Sequence, residues 1–167
     1  MTRLLRYAVQ AACYAALAAL MAWLSVSPVY EYAASDVAII KVSFSHAAQR
    51  VTPCVQLTPE QIAALPPNRR RPAKCERERL PLRFELDVDG DTLLVIDRVP
   101  SGLWNDGPAS IYESFELEPG SYDIAVRLRD SGPGQGWDYT ARENVRLTAG
   151  RYTTITFRAE SGGFEFR

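Results

Sequence analysis

The feature that most constrains this chain is an uncharged, apolar stretch near its N-terminus, residues 7–26. A helix of about 20 residues is roughly 30 Å long, which matches the hydrocarbon core of a bilayer. Two arginines precede the stretch, whereas the first two charges after it are acidic. Because positive charge favours the cytoplasmic side, we expect a single pass with the N-terminus inside and the C-terminus outside. Residues 1–6 are then cytoplasmic and residues 7–27 form a transmembrane signal anchor.

The same stretch has a second interpretation as a cleaved signal peptide. Signal sequences usually contain a shorter apolar region of about 7–15 residues, followed by a small-x-small cleavage site. The nearest such site, Ser25-Val26-Ser27, is followed by Pro28, which disfavours cleavage. Trp23, near the outer end, suits the interfacial belt of a retained helix. The pattern favours a retained anchor, and a cleaved signal stays open as the alternative.

The remainder of the chain is long enough for one domain with its own hydrophobic core. The formal net charge of the whole chain is −1, so the sequence has no overall basic field of the kind that marks a nucleic-acid-binding protein. We therefore expect no nucleic-acid partner. The predicted organisation is a linker at residues 28–36, an exported β-domain at residues 37–160 with an insertion at residues 52–80, and a flexible C-terminal tail at residues 161–167.

The cysteines predict one disulfide. Cys13 lies inside the apolar stretch, whereas Cys54 and Cys75 lie in the exported part, where an even pair in an oxidising compartment indicates a disulfide. Closing a loop of this length stabilises a protein by about 3 kcal/mol in the chain-entropy model. The alternative is a metal site with His46, the only histidine of the chain, but the spacing matches no compact ligand motif. We expect no cofactor.

Alternating polar and apolar residues predict strands along the exported part. In residues 82–88, LRFELDV, every second side chain is apolar, as in a strand with one buried face. About seven such segments are separated by turn signals, among them Asp89-Gly90 and Pro119-Gly120. This spacing is typical of an all-β, antiparallel β-sandwich.

The insertion between the two exported cysteines predicts one short helix. In Thr58-Pro59-Glu60-Gln61, the threonine suits the N-cap, the proline suits the first helical position, and Gln61 completes a capping box. Pro66-Pro67 prevents the helix from continuing. We therefore expect a small, disulfide-closed helical insertion.

Two segments carry a resemblance to known domains. Residues 115–126, FELEPGSYDIAV, and residues 145–153, VRLTAGRYT, resemble hairpins of immunoglobulin-like and transthyretin-like domains of bacterial surface proteins. The resemblance spans residues 82–157 and implies a fold rather than a function. The layout of the whole chain also resembles small single-pass envelope proteins of proteobacteria. That likeness implies a location in the bacterial inner membrane, with the C-terminal domain in the periplasm.

The sequence offers no catalytic motif, and we expect no enzyme. It lacks the G-x-S-x-G, H-E-x-x-H and S-x-x-K patterns, and its single histidine leaves little from which to build a nucleophile and base. The default interpretation of His46 is a polar residue at a strand end that bonds to the backbone. The sharper interpretation is a contact to a metal ion.

Two groups of residues are candidates for binding. A basic run in the insertion is either a solvated face or a surface for anionic lipid or an acidic partner. Aromatic residues in two loops rich in glycine and proline either plug the core or form a platform for a sugar or a protein. The basic group is Arg69, Arg70, Arg71, Lys74 and Arg77, and the aromatic group is Trp104, Trp137 and Tyr139.

Three functions are consistent with these features. The leading hypothesis is a non-enzymatic, membrane-anchored periplasmic protein that serves as an accessory or assembly subunit and binds another envelope or membrane protein complex. The second is a tethered module that binds carbohydrate or peptidoglycan through the aromatic loops. The third is a periplasmic metal-handling domain that uses His46 and the two exported cysteines.

Overall fold

The computed structural model describes residues 2–27, 34–134 and 136–167. The chain divides into two units, Met1–Ser35 and Asp36–Arg167. In the first unit, helix α1 (Arg3–Val26) has a mean hydropathy of 1.7 over its most apolar window, and none of that window is buried. Its length and composition suffice to cross a membrane, and they fit a signal sequence equally well. The predicted linker lies mostly outside the described residues, which resume at Ala34.

The second unit is mostly β-structure. Eight of its strands form two four-stranded sheets, in the orders β10-β9-β1-β6 and β5-β4-β7-β8, and the remaining two form a small antiparallel pair in the insertion. The strands are β1 (Ala38–His46), β2 (Val55–Gln56), β3 (Ala73–Lys74), β4 (Leu82–Val88), β5 (Asp91–Arg98), β6 (Ala109–Leu117), β7 (Gly120–Arg129), β8 (Tyr139–Leu147), β9 (Tyr152–Arg158) and β10 (Gly163–Phe166).

One hydrophobic core lies between the two large sheets, as the predicted β-sandwich requires. In β4 the alternation seen in the sequence places Leu82, Phe84 and Leu86 fully inside, while the intervening residues are partly exposed. The aliphatic part of the core also draws on β1, β6, β7 and β9. Phe84 meets Phe44 edge-on, with ring centroids 5.5 Å apart. Side chains of both sheets therefore interdigitate in a single core.

The hairpin between β4 and β5 is closed as the sequence predicts. Asp89 and Gly90 both have positive φ, 52° and 90°, which is the backbone of a two-residue type I′ turn. Such a turn matches the twist of the flanking strands, so the pairing of β4 with β5 follows directly from it.

One pairing in the sheets differs from the prediction. The pairing is antiparallel except between β1 and β9, which run parallel. The chain crosses from one sheet to the other between β8 and β9, at the end of the domain where β1 begins. Strand β9 therefore begins beside the start of β1 and runs in the same direction.

The predicted flexible tail is wrong for the residues after Gly162. Residues 163–166 form β10, which pairs with β9, and Phe164 packs against Phe157 with ring centroids 4.9 Å apart. The backbone groups of Arg167 and Thr154 exchange two hydrogen bonds, of 2.6 and 3.0 Å. The two aromatic residues of the tail provide enough apolar surface to fix a fourth strand at the sheet edge.

Three connections leave the β-domain at one end, which we call the loop end: residues 47–81, 99–108 and 130–138. Strand β1 finishes there at His46, opposite the start of β6. Backbone hydrogen bonds join the three connections, from Gln49 to Asp130 and from Arg79 to Asn105. Since β1 has nine residues, its two ends lie roughly 26 Å apart at about 3.3 Å per residue. The chain enters the domain at the end of β1 opposite the loop end.

Candidate functional site

The insertion at the loop end is closed by the predicted disulfide between Cys54 and Cys75. We call residues 54–75 the disulfide lobe. It contains the β2–β3 pair, helix α2 (Pro59–Ala63) and a turn of 3₁₀ helix at Pro67–Arg69. The predicted capping box is confirmed: the backbone N–H of Gln61 donates to Thr58, and the backbone N–H of Thr58 donates to the Gln61 side chain at 2.9 Å. Local hydrogen bonds and one covalent link therefore define this segment.

The disulfide lobe has no buried core of its own. No residue between positions 51 and 78 is buried, and the apolar side chains Leu57, Ile62 and Leu65 are only half-buried. Val55 is 60% exposed. A segment of this length that is ordered without burying a side chain leaves apolar surface available to a ligand.

The basic residues of the lobe surround an apolar cleft of about 470 Å³. Three of the predicted cations, Arg69, Arg71 and Lys74, line it, and none of the three forms an ion pair with any residue that the structure describes. The lining is completed by Leu57, Gln61, Leu65, Ala73 and Cys75. Since the lining includes no carboxylate, the cleft combines uncompensated positive charge with apolar surface.

The other two residues of the basic run have structural roles. The guanidinium of Arg70 donates to the backbone carbonyl of Leu65 at 3.2 Å, which holds the turn after α2. Arg77 forms an ion pair with Asp106, in the neighbouring loop. The predicted basic surface is therefore divided, with three cations facing the cleft and two bound to the chain itself.

A second loop presents two exposed apolar side chains beside the lobe. Leu103 is 89% exposed and Trp104 is 67% exposed. The turn that carries them is fixed by backbone hydrogen bonds, from Gly107 to Ser101 at 2.9 Å and from Arg79 to Asn105 at 2.9 Å. A Cβ at Gly107 would lie 2.9 Å from the backbone oxygen of Ser101, so the close approach of the two backbone segments requires glycine.

Leu103 and Trp104 line a second cleft, of about 700 Å³, together with Asn105 and residues 75–78. Cys75 is common to this cleft and to the cleft of the lobe. The disulfide therefore stands between a basic cleft and an aromatic one.

The structure does not bring the three predicted aromatic residues together around this cleft. Trp137 is half-buried and lies against Arg127 and Arg129, whose guanidinium carbons are 5.5 and 5.9 Å from its ring. Tyr139 packs on Phe157, with ring centroids 4.8 Å apart. Trp104 thus provides the exposed ring, whereas Tyr139 belongs to the edge of the core.

His46 occupies a polar cluster at the end of β1. Its Nε2 lies 2.6 Å from a carboxylate oxygen of Asp130, and Gln49 donates to the other oxygen at 3.2 Å. Both His46 and Asp130 are largely buried. The expectation that His46 bonds to the backbone is therefore replaced by a side-chain hydrogen bond to Asp130, which lies 84 positions later in the sequence.

The loop after β7 is held by Asp138. One oxygen of its carboxylate accepts hydrogen bonds from the backbone N–H groups of Asp130 and Ser131, at 2.8 and 2.9 Å. Burial raises the pKa of Asp138, but the hydrogen bonds from Ser131 and Asp130 outweigh that effect, and its pKa lies below the ordinary value. Burial, and then the charges of Asp130 and Asp138, raise the pKa of Tyr139. The cluster therefore connects the end of β1 to the loop that follows β7.

The geometry also bears on metal binding. Among the residues that the structure describes, no group of three or more His, Cys, Asp or Glu side chains is placed to hold a metal ion. The two cysteines that the metal hypothesis requires are joined in the disulfide, so neither is free as a thiolate ligand. His46 has Asp130 as its partner instead.

Several of these residues were missed by the sequence analysis. Leu103 adjoins Trp104 in the same turn, so the pair was visible in the sequence as an exposed turn with two large apolar residues. Asp130 and Asp138 gave no such signal, since acidic residues are common in solvated loops.

Comparison of the chain with protein-family models, with curated proteins and with solved structures gives no match in any of the three. The geometry of the loop end is therefore the basis for assigning a function.

Proposed function

We propose that this protein is a non-enzymatic, membrane-anchored periplasmic protein that binds another envelope protein through its loop end, as an accessory or assembly subunit. The observation that carries the proposal is the fixed turn on which Leu103 and Trp104 are 89% and 67% exposed. Single exposed apolar residues are ordinary on a protein surface, but an adjacent leucine and tryptophan on a rigid turn are not.

A rigid turn favours binding for a thermodynamic reason. Association costs free energy when side chains and loops must be ordered, and the hydrogen bonds around Asn105 and Gly107 have already ordered this one. Tryptophan is also among the residues that most often dominate the binding energy of an interface. The surrounding polar side chains, such as Glu76 and Glu78, would form the solvated rim of such an interface.

Helix α1 supports the proposed location. Its length, its composition and the two arginines before it suit an anchor in the bacterial inner membrane, with Asp36–Arg167 in the periplasm. The disulfide suits the same oxidising compartment. We also propose that the β-domain is related to immunoglobulin-like or transthyretin-like sandwiches.

Site-specific photo-crosslinking tests the proposal. A photoreactive phenylalanine derivative replaces Leu103 in the full-length chain, in its native envelope, and the same derivative replaces Asp91 as the control. Asp91 is exposed in the hairpin at the opposite end of the domain from the loop end. We expect one adduct of defined mass from position 103, its loss in Trp104→Ser, and no such adduct from position 91. Identical adducts from both positions, or none from 103, would contradict the proposal.

The alternative is a tethered module that binds carbohydrate or peptidoglycan. The exposed ring of Trp104, with Asn105 and Glu76 in the same cleft, offers a face for stacking on a sugar and polar groups for its hydroxyls. Soluble peptidoglycan fragments should then quench tryptophan fluorescence in the full-length protein, and Trp104→Phe should remove most of that change. Quenching that is unaltered in Trp104→Phe would exclude this site.

A further inference from the structure

The basic cleft of the disulfide lobe has a charge opposite to that of the rest of the chain. Residues 54–75 contain four basic residues and one acidic residue, Glu60, a net charge of +3 on a chain whose overall charge is −1. Glu60 is not among the residues that line the cleft. An anionic ligand would therefore meet three cations, Arg69, Arg71 and Lys74, without a competing carboxylate.

The floor of the same cleft is apolar. Leu57, Leu65 and Ala73 line it, and all three are only half-buried. Its volume of about 470 Å³ falls within the range of roughly 300–1,000 Å³ that is usual for ligand sites. A ligand that carries only charge would leave this floor in contact with water, so the complementary ligand has apolar groups beside its anionic ones.

The neighbouring cleft restricts the ligand further. Glu76 and Glu78 line it together with Leu103, Trp104 and Arg77, and the charge of Arg77 is paired with Asp106. A uniformly anionic surface such as a lipid headgroup layer would bring negative charge against these two glutamates. A peptide can vary its charge along its length, with carboxylates at Arg69 and an apolar side chain at Trp104.

From this pattern we infer that the cleft of the disulfide lobe binds an acidic peptide segment of the partner protein, in which carboxylates alternate with apolar side chains. This inference rests on the proposed function and names the chemistry of its partner. Arginine guanidinium groups form bidentate hydrogen bonds with carboxylates, and the side chains of Arg69 and Arg71 have no such partner among the described residues. The apolar residues of the segment cover Leu57 and Leu65.

The test measures binding of a fluorescein-labelled peptide in which Asp and Glu alternate with Leu. The full-length protein is held in nanodiscs of zwitterionic lipid, and binding is followed by fluorescence anisotropy. We expect saturable binding that weakens as salt is added. Arg69→Gln with Arg71→Gln should weaken it about tenfold, because two charge pairs with the peptide are lost.

A matched control removes two arginines elsewhere. Arg146 and Arg151 lie at the opposite end of the domain from the loop end, are exposed, and form no ion pair with a described residue. Arg146→Gln with Arg151→Gln should therefore leave the peptide affinity within about twofold. A peptide with Ser in place of Leu should bind about tenfold more weakly than the parent peptide. Mass analysis after alkylation verifies that the disulfide is intact in every variant.

Three outcomes would overturn the inference. The first is the absence of saturable peptide binding, and the second is an equal loss of peptide affinity in the two double arginine variants. The third is a dimer, detected by light scattering, that dissociates when Arg69 and Arg71 are replaced. Binding of dihexanoylphosphatidylglycerol without binding of the peptide would assign the cleft to a lipid headgroup instead. If the peptide does not bind while the unaltered protein still forms the adduct from position 103, the proposed function stands and this inference fails.

Discussion

The two large sheets and the disulfide lobe belong to one β-domain, yet they are held together by different forces. The sheets bury side chains such as Phe84, Ile40 and Leu128 completely. In the lobe, no residue between positions 51 and 78 is buried. A capping box, a two-residue strand pair and the disulfide between Cys54 and Cys75 define its path.

This difference indicates that the sheets provide stability, whereas the disulfide lobe provides exposed groups for binding. Burial of apolar surface is the main source of folding free energy, so the sheets supply most of the stability. The lobe has its apolar and basic groups at the surface, where they are free to meet a ligand. The most favourable place for a binding site is therefore the region that contributes least to folding.

The largest expected effect comes from truncating one core residue in the sheets. Phe84→Ala should lower the free energy of unfolding by about 3–5 kcal/mol, because Phe84 is fully buried against Phe44 and its removal leaves a cavity. Leu65→Ala in the lobe should cost less than about 1 kcal/mol. Guanidinium unfolding of the full-length protein in mild detergent measures both, and similar midpoints for the two variants would show that the lobe has a core after all.

A smaller effect is expected at the last strand. Phe164→Ala should cost about 2–3 kcal/mol, since Phe164 is partly buried against Phe157 and Phe44. Glu165→Ala is the control, because the Glu165 side chain bonds to Ser161 and Arg167 near the surface. A Phe164→Ala protein as stable as the control would mean that β10 adds nothing to the sheet.

The sequence was sufficient for the parts of this fold that depend on local patterns. Alternation in residues 82–88 predicted β4, Asp89-Gly90 predicted the hairpin, and Thr58 with Gln61 predicted the cap of α2. Each of these features depends on residues only a few positions apart. The disulfide followed from the number of cysteines and from the expected compartment.

The features that escaped prediction depend on contacts between distant parts of the chain. Strand β10 begins at Gly163, in a pair of glycines that suggested flexibility, and the packing of Phe164 on the core determines that it pairs with β9. The contact between His46 and Asp130 joins residues 84 positions apart. The division of the basic run into cleft residues and paired residues likewise depends on Asp106, in another loop.

The hydrogen bonds that Asp138 accepts at the loop end can be tested by mutation and by varying the pH. Asp138→Ala should cost about 1–2 kcal/mol at pH 7, because two backbone N–H groups lose their acceptor. Asp138→Asn retains an acceptor oxygen and should cost less.

The sign of the pH dependence follows from the lowered pKa of Asp138. The stabilising contribution of the carboxylate is complete above its unfolded pKa of about 3.9, and it is lost as the pH falls through the folded-state value. The difference in melting temperature between the wild type and Asp138→Asn should therefore narrow from pH 7 to pH 3. A difference that widens toward pH 3 would contradict the assignment.

A change in global stability no larger than that of Asp138→Ala, and the clearest contrast between the two regions, comes from removing the disulfide. The loop spans 21 residues, and closing it contributes about 3 kcal/mol in the chain-entropy model. Without the disulfide the lobe gains conformational entropy in the folded protein, which offsets part of that loss. We expect a net cost of about 1–2 kcal/mol for Cys54→Ala with Cys75→Ala, and almost none for Cys13→Ala.

Hydrogen exchange of the Cys54→Ala, Cys75→Ala variant then shows which region loses stability. Amides of the lobe, such as those of Leu57 and Ala64, donate to backbone carbonyls in a segment with no buried side chain. They should lose their protection when the disulfide is absent, while amides of β4 and β7 keep theirs. Because the ligand cleft is built from the same lobe, binding of the acidic peptide should disappear in this variant although the sheets stay folded. Protection lost equally in the lobe and the sheets would mean that the two regions fold as one unit and that the contrast drawn between them is wrong.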